Sequence, residues 1–303
     1  MRARAGRIVH TRRSVEAPDR LLIGGRPLPR TAAGAELGRL VLDRGLHFGD
    51  GLFETIACVQ ARPRLVGYHL ERLQDGCTRL GLPAPDRAAL RAEIEQMARG
   101  AERALIKVLY TRGSATARGY APRGDEEPRR ILLRYGWPRE DARRSGAGVA
   151  VAIADSRLGE NPRLAGLKHL NRLELVLARA ELRGSRCAEA LLFSSSGSLV
   201  SGTMSNVFIV QGPRVRTPRL DRCGVAGVMR RAVMHVARSD GIVVEEAPLG
   251  RGDLDSATEI FLTNARIGIW PVRELDGRCC AVGPLTRHLQ RLLVSRLAEA
   301  RDA

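Results

Sequence analysis

Apolar positions in this chain follow two rhythms, and the rhythm changes mark its elements. From residue 52 to 59 they alternate with polar ones after the turn Gly49-Asp50-Gly51, which predicts a strand with two unlike faces. From 68 to 80, Leu70, Leu73, Cys77 and Leu80 recur at three- and four-residue spacing, which predicts an amphipathic helix. Asp86 stands where an N-cap belongs for a second helix reaching about 99. Apolar runs at 104–111 and 130–135 predict strands joined by a Gly/Arg-rich loop, and residues 21–27 and 40–44 are expected as short strands. Beyond a polar stretch at 136–148 the runs at 149–154, 189–193, 197–200, 204–210, 242–245 and 259–263 predict further strands. Helices are expected after 171, where Leu170, Leu173, Val176 and Leu177 form an apolar stripe, from 228 to about 238, and from 284 to near 301. The pattern is α+β. It divides into an N-terminal extension at 1–20, a small α/β domain at 21–135, a linker at 136–148 and a larger, strand-rich domain at 149–303.

Composition narrows the class. A chain of 303 residues with 44% hydrophobic content can bury a sizeable core, and no apolar run approaches a membrane span. The basic N-terminus lacks the apolar centre of a signal peptide, so a cytoplasmic protein with no membrane partner is expected. The six cysteines show no CxxC pairing and no ligand-like spacing with His, which predicts reduced thiols and no metal site. The net charge of +17 could serve nucleic acid. The arginines are scattered, however, and aromatics at 4% are too few for a stacking platform. Compositional bias toward arginine, or a small anionic substrate, accounts for the charge better than nucleic acid does.

The charge also hides a chemical signal. Of 50 Lys plus Arg only two are lysine, Lys107 and Lys168. An amine can lose a proton and attack a carbonyl, which a guanidinium cannot do. Lys168 sits on a Pro/Gly-punctuated loop before a helix and is the candidate Schiff-base former; Lys107, in an alternating strand, reads as a solvent-facing charge. Three further groups could hold an anionic cofactor: Arg72, one helical turn after His69; the approach Gly224-Val-Ala-Gly227, whose helix offers the free N–H groups of Val228 and Met229; and the strand end Asn264-Ala265.

Five phrases in the order Phe48-Gly-Asp-Gly-Leu-Phe-Glu-Thr, His69-Leu-Glu-Arg72-Leu, Leu164-Ala-Gly-Leu-Lys168-His-Leu-Asn-Arg-Leu-Glu, Gly202-Thr-Met-Ser-Asn-Val-Phe and Gly227-Val-Met-Arg resemble the fold-type IV pyridoxal phosphate enzymes. That family holds branched-chain aminotransferases, D-amino-acid aminotransferases and aminodeoxychorismate lyases. The Lys-His-Leu-Asn-Arg-Leu-Glu phrase, the Arg112-Gly…Arg118-Gly-Tyr120 loop and the Tyr68-to-Arg72 helix look most like the lyases, which form p-aminobenzoate and pyruvate for folate biosynthesis. The resemblance implies pyridoxal 5'-phosphate on Lys168, its phosphate on Arg72 and the Val228 and Met229 amides, and further cofactor contacts from Ser201, Ser205, Asn206, Gly227, Asn264 and Ala265. It implies a homodimer, and an anionic substrate, aminodeoxychorismate, whose carboxylates meet Arg118, Tyr120 and Arg266. One position departs from the family phrase: Ser201 stands where a glutamate usually meets the pyridine nitrogen, and Glu189 lies too early in the motif to be that residue. A hydroxyl holds a pyridinium less well than a carboxylate does. The expectation is therefore lyase chemistry, with an aminotransferase of the same fold as the alternative.

Overall fold

The computed structural model describes residues 20–23, 26–27, 40, 42–114, 119–124, 126–138 and 141–299. Its first half is built on the strands β1 (Arg20–Ile23), β2 (Arg26–Pro27), β3 (Gly51–Val59), β4 (Arg62–Pro63), β5 (Arg103–Thr111) and β6 (Arg129–Gly136). They form one antiparallel sheet in the order β2-β1-β6-β5-β3-β4. Helices α2 (Val66–Leu80) and α3 (Arg87–Ala98) cover one face, where Leu70, Leu73, Leu90, Ile94 and Met97 pack against Ile56, Ile106, Val108 and Leu132. The alternation along β3 decides what faces where: Leu52, Glu54 and Ile56 point toward the helices, while Phe53 and Thr55 point the other way. Asp86 caps α3, its Oδ1 accepting from Ala88 N at 2.8 Å and Ala89 N at 3.2 Å.

The expectation of a strand at 40–44 fails. Asp43 instead caps the short helix α1 (Arg44–Phe48), accepting from Gly45 N–H at 2.7 Å, and its carboxylate is further held by Thr111 and Arg129. A capping side chain offers the backbone a local partner that competes with a sheet ladder. The stretch expected as a linker carries the end of β6 and a helix, α4 (Asp141–Ala147); Gln290 Nε2 donates to Ser145 O at 3.0 Å.

The second half is a nine-stranded mixed sheet. In chain order its members are β7 (Val149–Leu158), β8 (Glu189–Ser194), β9 (Leu199–Gly202), β10 (Asn206–Gln211), β11 (Arg214–Pro218), β12 (Val244–Ala247), β13 (Glu259–Asn264), β14 (Gly268–Leu275) and β15 (Arg278–Cys279). The path runs β12-β11-β10-β13-β14-β7-β8-β9, with β15 on β14. One face buries Leu191, Val207, Ile209, Leu262 and Trp270. The other buries Phe208 and Phe261, cross-strand partners with rings stacked at 4.8 Å, under α6 (Val228–Ser239) and α8 (Pro284–Glu299). Helix α5 (Leu173–Ala180) follows the Lys168 loop, and α7 (Arg251–Asp255) is a single turn before β13.

Candidate active site

The loop carrying Lys168 is stitched to β3 and to the glycine-rich approach of α6. On one side Gly166 N–H donates to Gly224 O and Ala226 N–H to Gly166 O, each at 3.0 Å; on the other Phe53 N–H donates to Lys168 O and Leu170 N–H to Gly51 O, again at 3.0 Å. The lysine side chain is thus delivered to the seam between the sheets, with Nζ 4.3 Å from the Phe53 ring centroid. Burial lowers its pKa, and Arg72 adds to this against the opposing pull of Glu54, leaving it at about 7. An amine so placed exchanges its proton near neutrality.

Arg72 comes from α2. Its guanidinium lies fork-on-fork against the Glu54 carboxylate, and Nη1 donates to Ala226 O at 2.9 Å. It therefore ties β3 to the glycine-rich approach of α6. Glu54 also meets His69 Nδ1 at 2.6 Å. Burial pushes the Glu54 carboxyl up, but Arg72 and His69 together override it and bring the pKa down to about 2. The group is an anion that fixes the arginine. Gly227 caps α6 without a side-chain bond, so the first amides of that helix, Val228 and Met229 among them, are open to an anion. A Cβ at Gly227 would collide with Asn206 Oδ1, whose Nδ2 holds Val225 O at 2.9 Å.

A cavity of about 1090 Å³ joins these parts. Arg72 and Lys168 line it, together with Ser201, Ser205 and Asn206 from the β9–β10 turn. Gly227, Val228 and Met229 contribute the helix start, and Asn264, Ala265 and Arg266 the end of β13. Asn264 Nδ2 donates to Met204 O at 2.9 Å, joining the end of β13 to the β9–β10 turn. Tyr120 is not brought here: it is 83% exposed, stacks near Phe48 and borders a separate, smaller hollow beside Arg44 and Arg112. Arg118 lies outside the described residues.

Lys107 is not the solvent-facing charge expected from its strand. It pairs with Thr55 across β3 and β5, is half-buried, and sets its amine 5.5 Å from the same Phe53 ring. The strand does alternate, but the face that Lys107 shares with Thr55 is the one turned to the cavity. The apolar stripe of α5 likewise is not core: Leu173, Val176 and Leu177 are 70%, 60% and 56% exposed.

Several residues of the site had no sequence signal of their own. Phe53 and Thr55 are visible only as the second face of the alternating strand. Glu189, early in its motif, reaches the β9–β10 turn through strand pairing. Its carboxylate accepts from Ala190 N and Thr203 N, each at 3.0 Å, from Met204 N at 3.1 Å and Ser205 Oγ at 3.0 Å, and also from the Thr203 hydroxyl. Ser201 Oγ, in the cavity wall, donates to Gly202 O at 2.9 Å.

Two sheets meeting at a lysine-bearing cavity, with a helix N-terminus beside the lysine loop, define a fold-type IV enzyme. The chain belongs to the amino-transferase class IV family, whose model matches residues 51–275. It is 35% identical over 252 residues to the aminodeoxychorismate lyase of Vibrio harveyi, covering 82% of this chain and 93% of that protein. A putative branched-chain-amino-acid aminotransferase of Methanocaldococcus jannaschii is 31% identical, over 82% of this chain and 88% of its own. The crystal structure of 4-amino-4-deoxychorismate lyase from Pseudomonas aeruginosa superposes with a TM-score of 0.84 at 42% identity, covering 91% of this chain and 98% of that one.

Proposed function

We propose that this protein is an aminodeoxychorismate lyase that uses pyridoxal 5'-phosphate to convert 4-amino-4-deoxychorismate to p-aminobenzoate and pyruvate. The observation that carries the reading is Lys168: an amine with its pKa lowered to about 7, lining a cavity that a helix N-terminus and an arginine also line. Those parts fit the cofactor. Arg72 and the Val228 and Met229 amides would take its phosphate, the Ser201–Asn206 turn and Asn264-Ala265 would flank it, and the Lys168 amine would hold it. When bound, the cofactor supplies an electron sink for the carbon next to the substrate nitrogen. Lys168, released by the substrate amine, stands ready as the base that takes a proton from the substrate ring and returns one to the departing enolpyruvyl group.

Ser201 supports the lyase side of the choice. A hydroxyl tied to Gly202 O leaves the sink weaker than a carboxylate would. Elimination helped by formation of an aromatic ring tolerates that better than transamination does. The likeness to the lyases of Vibrio harveyi and Pseudomonas aeruginosa supports it as well. The aminotransferase reading keeps one support, the Methanocaldococcus jannaschii relative. Cofactor-loaded protein given 4-amino-4-deoxychorismate should release pyruvate and p-aminobenzoate in equal amounts with no keto acid present. Amino transfer to a keto acid without pyruvate release would replace the lyase reading with the aminotransferase one.

A homodimer is part of the proposal. Leu173, Val176 and Leu177 on α5 form an exposed apolar patch at the rim of the cavity, which a second copy would cover. The two sheets are taken as the cores of two domains joined at 136–148. A cytoplasmic location agrees with six free cysteines, and no helix among the described residues is long and apolar enough to cross a membrane. The substrate partner is a small anion rather than nucleic acid, in keeping with cationic groups turned into a cavity.

A further inference from the structure

Arg172 stands just before α5 and lines the cavity. Its Nε donates to His169 O at 2.8 Å and its Nη2 to Leu167 O at 3.0 Å. These are the two carbonyls on either side of Lys168, whose own carbonyl is taken by Phe53 N–H. Three successive carbonyls around the lysine are therefore fixed, two of them by one guanidinium. That use leaves Nη1 and the outer edge of Nη2 without a hydrogen bond among the described residues, in a group with five donors.

Arg172 is also without an ion-pair partner among the described residues. Glu174, which acts on it electrostatically, accepts instead from Gly159 N–H at 2.8 Å. Burial draws the Arg172 pKa down to about 10, with Glu174 opposing and Arg72 adding to the shift. Arg172 is a half-buried guanidinium that lines the cavity with an edge still free to meet an anion. Its two outer N–H groups match the two oxygens of a carboxylate. The other carboxylate-binding candidates are less prepared: Tyr120 lies outside the cavity, and Arg266 turns its guanidinium to Trp270 and Met204 Sδ.

We propose that Arg172 is the substrate's fixed carboxylate-binding residue, gripping the Lys168 loop with one edge and a carboxylate of the bound substrate with the other. The identity of that substrate rests on the lyase reading; the preference for a carboxylate does not. Because one planar group serves both tasks, a substrate seated on Arg172 is held in register with the amine of Lys168.

The test compares the cofactor-loaded parent with Arg172→Gln and Arg172→Lys. In pyruvate release, Arg172→Gln should raise KM for 4-amino-4-deoxychorismate by about tenfold or more, the size expected for a lost charge-assisted bond. Arg172→Lys, which keeps the charge but not the fork, should fall between. Both variants should still be labelled on Lys168 by borohydride reduction with cofactor. Equilibrium dialysis of benzoate against aniline reads the same claim without turnover: the parent should favour benzoate, and Arg172→Gln should lose that preference. If the parent releases no pyruvate, the lyase reading fails while the dialysis still tests Arg172. An unchanged KM with an unchanged benzoate preference overturns the proposal, and so does a raised KM accompanied by loss of the Lys168 label, which would leave Arg172 a brace for the loop.

Discussion

The two lysines of this chain show what burial does to identical side chains. Lys168 is deep enough for burial and Arg72 to bring its pKa to about 7, far below the ordinary value near 10.4. A lowered lysine pKa means the amine sheds its proton as pH rises through about 7. In cofactor-free protein, acylation of Lys168 should therefore appear between about pH 6 and 8, and a labelling midpoint near 10 would contradict the assignment. Arg72 is set by Glu54, whose carboxylate is held down near 2 and stays charged throughout that range. Arg72→Ala would remove the proposed charge-assisted contact to the phosphate and leave Glu54 with His69 alone. Cofactor affinity should fall by about 2–5 kcal/mol, the usual result of truncating one member of a buried charge pair. Dialysis showing unaltered affinity would remove Arg72 from the site.

Among the elements, the glycine-rich entry to α6 is the one the proposed cofactor site leans on most. Gly227→Ala would drive a Cβ into Asn206 Oδ1, shifting either the helix start or the β9–β10 turn. Overpacking of this kind costs about 1–3 kcal/mol. The expected outcome is weaker cofactor binding together with a lower Tm of the apoprotein, and a variant matching the parent in both would show that the contact can relax. How far the elements were legible depends on what specifies them. The period of β3, the Asp86 cap and the Gly224–Gly227 approach are local signals, and each element stands where those signals put it. The 40–44 stretch misled because Asp43 finds partners in Thr111 and Arg129, more than sixty residues away. Glu189 was illegible as the brace of the β9–β10 turn for the same reason: most of its donors come from a turn it meets only through strand pairing. Nothing in the sequence says that the Arg172 guanidinium folds back on its own loop.

At the scale of the molecule, α5 breaks the rule that an apolar stripe is core. Its outward leucines and valine are what the proposed second copy would cover. Replacing both Leu173 and Leu177 with Glu should convert a dimer to a monomer in sedimentation and lower activity, because the patch borders the cavity. A wild-type chain that sediments as a monomer would remove the homodimer from the account. The net charge of +17 belongs to this scale too. Scattered arginines raise solubility and draw anions generally, while the cavity's own cations are the ones placed to select.

Lys168 is the amine on which the proposed chemistry depends, and reduction in place reads that dependence without turnover. Purified protein saturated with pyridoxal 5'-phosphate, treated with borohydride and digested, should carry the reduced cofactor on the peptide containing Lys168. Lys168→Ala should carry none and should lose at least about a hundredfold in pyruvate release. Because the chain has only two lysines, the alternative is unambiguous: label on Lys107, or label that persists in Lys168→Ala, would contradict the account.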